Sequence, residues 1–371
     1  MANKVIFLSG LNGIRTIAAG GVLFSHINLA LDKFGLGSYS LFGFKNGRAK
    51  SWVLGEHGVT MFFVLSGFLI TYLLLKEFKK TSTIDIRKFY LRRILRIWPL
   101  YFLYLLLTLL LLRDDITLNF NIGYYVAFLA NIPFVIKQSY AGMEHLWSIS
   151  IEEQFYLFWP FVFLIFVKGK FLIKTSCFII ALSLLRIVIW WVIPFSTLAL
   201  FSVVNRFDCM VLGALGAYLV QGNYRVIEIL NLKVIQIFVW GIVSLLILDK
   251  FHFVNSILEI FIVEGITLVI IIGQINVKNR IINLENTVFS YIGKLSFGLY
   301  VYHPLVIILA YKYLNFNLFE SLYLNVVSVF VFVFFATLSV SHISYFYFER
   351  WFLNLKSRYS VVDSSNSKVS L

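Results

Sequence analysis

Arg15 and His26 stand in an apolar stretch, LNGIRTIAAGGVLFSHINLAL, that otherwise reads as a membrane-spanning helix. A charge in a bilayer is costly, so ionisable groups inside a span mark function by default. The two residues are eleven positions apart. At ~100° per residue this is close to a whole number of turns, so both side chains leave one face, roughly 16 Å apart along the axis. A single helix thus offers a cation and a titratable base to the same interior. The structural alternative has Arg15 reaching a headgroup and His26 bonding a neighbouring helix.

A second constellation lies in EHLWSISIEEQFYLFWP. Glu152 and Tyr156 are four apart and share a helical face, while Glu153 points about a quarter-turn away and could serve as an interfacial cap. With His145, Trp147 and Ser148 close by, Glu152 is expected to form part of an active-site wall. His26 falls in the outer half of its span, at the expected depth of Glu152. A carboxylate beside an imidazole would orient it and favour its protonated form, as a base accepting a hydroxyl proton requires.

The loop KEFKKTSTIDIRKFYLRRILRIWP is strongly basic, the usual mark of a topology signal or of contact with anionic lipid. Arg93 and Arg96 differ from the rest because they sit three apart at the start of a span. They can grip phosphates as a pair, and a cytosolic polyanion such as coenzyme A suits them. His303, in SFGLYVYHPLV, precedes Pro304, which removes a backbone donor and can open the helix locally. A packing role and a functional one are both open for it. His57, His252 and His342 read as loop or helix-end residues.

These groups need a membrane scaffold. The 371 residues are 60% hydrophobic and 13% charged, with 39 phenylalanines, and mean hydropathy is +0.86. That excludes an ordinary soluble domain and predicts an all-α polytopic bundle. Apolar runs lie near 11–31, 58–76, 94–112, 147–167, 171–193, 203–221, 234–249, 256–274, 288–311 and 322–348, which makes ten spans. A further run, 120–136, is ambiguous. Reading it as re-entrant puts the basic loops on one side and both termini in the cytoplasm. Asn131 and Pro133 favour that reading, because in a lipid-facing helix they would leave backbone groups without partners.

The net charge of +14 sits in short loops between spans, so it orients the chain in a membrane and does not point to nucleic acid. Cys177 and Cys209 form no disulfide or zinc pattern, and no metal is expected. The N-terminus reads as retained, not as a cleaved signal. A transmembrane unit over 1–355 and a polar cytoplasmic tail over 356–371 are expected, with no soluble domain after the core. The expected location is the bacterial cytoplasmic (inner) membrane.

Taken in order, LNGIRTIAAGGVLFSH, GVTMFFVLSGFLIT, FYLRRILRIWPLY, HLWSISIEEQFYLFWP, NRFDCMVLGALGAYL, SFGLYVYHPLV and YFYFERWF resemble the acyltransferase 3 family of integral membrane O-acyltransferases. The resemblance implies a ten-helix enzyme. It would move an acyl group, usually acetyl, from cytoplasmic acyl-CoA to a hydroxyl, often on a surface carbohydrate. In that family an Arg and a His on the first helix, ten residues between them, are essential. They match Arg15 and His26. The family's paired arginines match Arg93 and Arg96, and the glutamate of its Trp-Ser-Glu segment matches Glu152. Two departures stand out: Thr60 occupies an often acidic position, and Trp351 replaces the proline that usually follows Glu-Arg.

The resemblance implies acetyl-CoA docked near Arg93 and Arg96, its thioester extending toward His26, with Arg15 holding the donor or steadying developing charge. His26 would act as general base or carry the acyl group itself. Trp147, Ser148, Tyr156, His303 and His145 would bind substrate or support the site. A carrier moving a lipid-linked sugar or solute, and an inactive scaffold, are the rival readings.

Overall fold

The structure, a computed structural model, describes residues 7–251 and 256–360. Beyond a two-residue hairpin pairing Phe44–Lys45 with Arg48–Ala49, its regular elements are helical. The long helices are α1 (Leu11–Leu29), α2 (Val53–Thr81) and α3 (Ile86–Leu111). Two short helices, α4 (Ile122–Val126) and α5 (Asn131–Val135), precede α6 (Leu146–Val167) and α7 (Phe171–Val192). Then come α8 (Thr197–Val204), α9 (Phe207–Gln221), α10 (Arg225–Leu230), α11 (Lys233–Ile247) and α12 (Ser256–Ile275). The chain closes with α13 (Thr287–Tyr313), α14 (Leu322–Ser344), a π-helical turn at Tyr345–Glu349 and α15 (Arg350–Ser357).

A helix coincides with each of the ten apolar runs. Among the described residues eight stretches, with α8 and α9 counted as one, are long and apolar enough to cross a bilayer. The two exceptions have visible causes: α11 has 15 residues, and α1 carries Asn12, Arg15, His26 and Asn28. Helix α1 is shielded, packed between α2, α13 and α14, so its polar groups face protein. By contrast α7 turns Leu184, Val188 and Trp191 outward, as a lipid-facing helix does.

Small residues set the closest approaches. A Cβ on Gly67 would strike the Met210 carbonyl, and one on Gly213 the Val64 carbonyl, so α2 and α9 cross backbone to backbone. A Cβ on Gly293 would likewise strike the Asn12 carbonyl, which lets α13 lie directly against α1. Packing of this kind holds membrane helices together where the hydrophobic effect between them is absent.

The ambiguous segment 120–136 forms no helix long enough to cross a bilayer. Each of α4 and α5 is five residues long, and side chains of the bundle satisfy the backbone around them. The Tyr101 hydroxyl donates to the Tyr125 carbonyl at 2.8 Å, the Gln154 amide to the Phe128 carbonyl at 2.9 Å, and the Ala130 N–H to Ser150 Oγ at 3.1 Å. Asn131 is buried, bonded to Asn205 and Gln154. Non-helical backbone within a membrane protein is tolerated where protein supplies such partners.

The run 203–221 is interrupted between α8 and α9, where Arg206 Nη1 donates to Thr60 at 2.7 Å. Asp208 pairs with Arg186 in the same interior, and Cys209 Sγ donates to Glu264 at 3.0 Å. At the other end of the chain, α15 packs on α3 and Arg92 donates to the Tyr359 carbonyl at 3.0 Å. The bundle therefore holds the chain past position 356, and the tail segment 361–371 lies outside the described residues.

Candidate functional site

Helices α1, α2, α3, α6 and α13 enclose a cavity of about 100 Å³. Arg15 of α1, Arg93 and Arg96 of α3, Ser66 of α2, and Glu152, Tyr156 and Ser148 of α6 line it, with Ser296 and Tyr300 of α13. The Glu152 carboxylate accepts from Ser66 and, at 2.6 Å, from the Tyr156 hydroxyl. The Arg93 guanidinium lies 5.7 Å from the Tyr156 ring centre. Arg15 donates to Asn12 Oδ1 at 2.9 Å. Among the described residues no ion pair neutralises any of the three arginines.

Arg92 behaves differently from its neighbour. It pairs with the buried Glu77 at 3.0 Å, and Glu77 also accepts the Asp85 N–H at 2.8 Å. Arg92 is therefore consumed in joining α2 to α3, while Arg93 and Arg96 are left facing the cavity. Lys356 of α15 adds a further cation within electrostatic range of Arg96, Arg93 and Arg15. Lys88 donates its N–H to Asp85, the cap of α3, and holds that carboxyl below the usual range.

A second station lies farther along α1. His26 Nδ1 is 2.7 Å from His303 Nε2, and the His145 ring centre is 5.4 Å from that of His303. His303 and His145 are buried and His26 partly so. Three histidines, from α1, from α13 and from the N-cap of α6, thus meet at one level. The two stations are joined by Ser148 and Tyr300, whose hydroxyls are 2.6 Å apart. Both line the cavity, and the Tyr300 ring lies 5.9 Å from that of His303.

The sequence puts Glu152 and His26 in one depth zone and leaves their contact open; in the structure His26 meets His303, and Glu152 is held by Ser66 and Tyr156. His145 caps α6 and is seven positions before Glu152, or about 10 Å of helix. The histidines meet at the level of His145, which leaves Glu152 at the level of Arg15. Glu153 is no cap: it lies within α6 and accepts the Trp98 indole N–H at 2.9 Å. Trp147 stays out of the cavity lining and stacks on Phe134 of α5 at 5.2 Å, so it anchors the segment 120–136. His57 is buried in the second turn of α2, 3.5 Å from Glu259. His342 bonds the Tyr291 hydroxyl near the end of α14, and His252 lies outside the described residues.

Sequence reasoning missed Ser66, Tyr300, Ser296 and Lys356. Ser66 carried a faint signal as the lone hydroxyl in FFVLSGFLI. The others are common residue types whose role depends on which helix lies opposite.

The site can hold an anion against three guanidiniums and place an imidazole within one helix length of it. A family model described as an acyltransferase domain matches residues 8–346. A provisionally named O-acetyltransferase of Staphylococcus aureus (strain COL) is 29% identical over 341 residues, which is 84% of this chain and 52% of that protein. The O-acetyltransferase OatA of Staphylococcus aureus (strain NCTC 8325) is 27% identical over 332 residues, 83% of this chain and 52% of its own length. The chain spans about half the length of these curated relatives. No solved structure matches it. With the family match running through every helix that builds the cavity and the histidine cluster, the chain belongs to the acyltransferase 3 family.

Proposed function

We propose that this chain transfers an acetyl group from acetyl-CoA on the cytoplasmic side of a bacterial cytoplasmic membrane to a hydroxyl of a cell-surface polysaccharide or its lipid-linked precursor. The observation that carries the reading is the cavity in which Arg15, Arg93 and Arg96 line one space without ion-pair partners among the described residues. Three guanidiniums against one carboxylate favour a multiply charged anion, and the phosphates of coenzyme A are such a group. The positive-inside rule puts the basic start of α3 in the cytoplasm, with both termini. The O-acetyltransferase names of the relatives support acetyl as the group and a hydroxyl as its acceptor.

In this account the phosphates rest against Arg93 and Arg96, and the flexible arm of the donor carries the thioester along α1 past Arg15. The His26 imidazole takes the proton of the acceptor hydroxyl as its oxygen attacks the thioester carbonyl. The C–S bond breaks, the oxygen ester forms, and the coenzyme A thiolate takes the proton back from the imidazolium. Arg15 and its neighbours hold negative charge in a water-poor interior, where fixed donors act most strongly.

The test is to supply bilayer-reconstituted protein with acetyl-CoA labelled in the acetyl group, together with envelope glycan. Alkali-labile label on the glycan and release of free coenzyme A support the reading. Glycan transport without coenzyme A release supports a carrier and overturns it.

A further inference from the structure

We propose that His303 is a positioning residue that fixes the proton of His26 on Nδ1, leaving Nε2 of His26 bare as the proton acceptor. Donors and acceptors around the two rings fix the tautomer, and only the role of the bare Nε2 rests on the reading of His26 as the base.

His303 Nδ1 lies 3.1 Å from the Leu299 carbonyl, one turn back on α13. A carbonyl only accepts, so Nδ1 of His303 must carry a hydrogen. The Tyr300 carbonyl lies beside the same ring. Pro304 has no N–H, which deprives that carbonyl of its helical donor and leaves it as a second acceptor next to the ring. In the neutral ring the proton on Nδ1 makes Nε2 an acceptor.

That acceptor faces His26 Nδ1 at 2.7 Å. Two bare nitrogens would repel there, and two N–H groups would collide, so the hydrogen between them belongs to His26. Its own Nε2 then has an open lone pair. Helix α13 thus sets the His26 tautomer through a chain running from the Leu299 carbonyl through His303. When His26 takes a second proton on Nε2, its Nδ1–H still points at an acceptor, so the imidazolium forms with the ring already in place.

His145 does not take over this task. Its Nε2 lies 3.1 Å from the Val301 carbonyl, and its Nδ1 is buried with no partner among the described residues. It is locked in the opposite sense, with its hydrogen on Nε2.

The experiment uses the full chain in bilayers, labelled with ¹⁵N-histidine, with the His26 signals assigned by their loss in His26→Gln. The expected spectrum shows His26 with a protonated Nδ1 and a bare Nε2. His303→Leu, which fills the same space but accepts nothing, releases His26 to the Nε2–H form that imidazoles favour in water. It also lowers turnover by about 10²-fold, at the lower end of what a positioned base contributes, with KM for acetyl-CoA unchanged. His303→Gln, whose amide oxygen accepts from His26 and whose NH₂ donates to Leu299, retains the Nδ1–H form and most of the turnover.

An Nε2–H signal for His26 in the parent protein overturns the proposal, as does equal turnover in the Leu and Gln variants. Full activity in His26→Gln overturns the reading of His26 as base while the spectrum still decides the tautomer, so the two failures are distinguishable.

Discussion

Arg15 of α1 and Glu152 of α6 line one cavity without forming an ion pair, because the carboxylate is already held by Ser66 and Tyr156. The positive charge of α1 is therefore left for something that enters.

Removing a cavity arginine weakens donor binding without unfolding the protein. A charge-assisted hydrogen bond to a phosphate is worth about 1.5–3 kcal/mol. Arg96→Ala therefore raises KM for acetyl-CoA roughly 10- to 100-fold, read from initial rates, while the melting temperature holds.

The adjacent Arg92 gives the opposite pattern. Arg92→Ala strands the buried Glu77, and breaking a buried pair costs about 3–5 kcal/mol. The melting temperature in detergent falls sharply, and the surviving folded fraction keeps its KM.

Glu152→Gln preserves shape and removes charge. It stays folded and loses turnover at least about 10-fold, the size of one hydrogen bond to a charged group, worth about 1.5–3 kcal/mol. Tyr156→Phe loses less, because the charge stays in place and Ser66 still holds the carboxylate.

The cap of α3 gives a pH signature. Asp85 accepts the Lys88 N–H at 2.9 Å, which lowers its pKa in the folded state. The unfolded chain therefore binds the proton more readily, so the stabilisation is present above the ordinary carboxylate range and disappears as pH falls through the native value. Asp85→Ala costs about 1 kcal/mol at neutral pH, the usual worth of an N-cap. Melting curves taken across acid pH are expected to converge for parent and variant.

Much of this site was legible in the sequence because it is written in helical spacing. Arg15 with His26, and Arg93 with Arg96, were placed on shared faces by the 3.6-residue repeat alone, and the ten apolar runs located the helices. Asn131 and Pro133 marked the segment that forms no crossing helix. What was not legible is which helix faces which. The sequence put Glu152 and His26 in one depth zone but could not say whether they touch; the glycine-permitted contact of α1 with α13 brings His303 to His26. Trp147 was placed beside the site, and the structure packs its ring on Phe134 of α5 and on Phe63 of α2. Ser66 and Tyr300 became visible only when neighbouring helices supplied their partners.

In the proposed reaction the His26 imidazole moves the proton in acetyl transfer. The direct measurement is the rate of label transfer from acetyl-CoA to envelope glycan by reconstituted His26→Ala, at protein levels matched to the parent. The account predicts a loss of about 10²- to 10⁴-fold, with acetyl-CoA binding retained through Arg93 and Arg96. Transfer at the parental rate would contradict it.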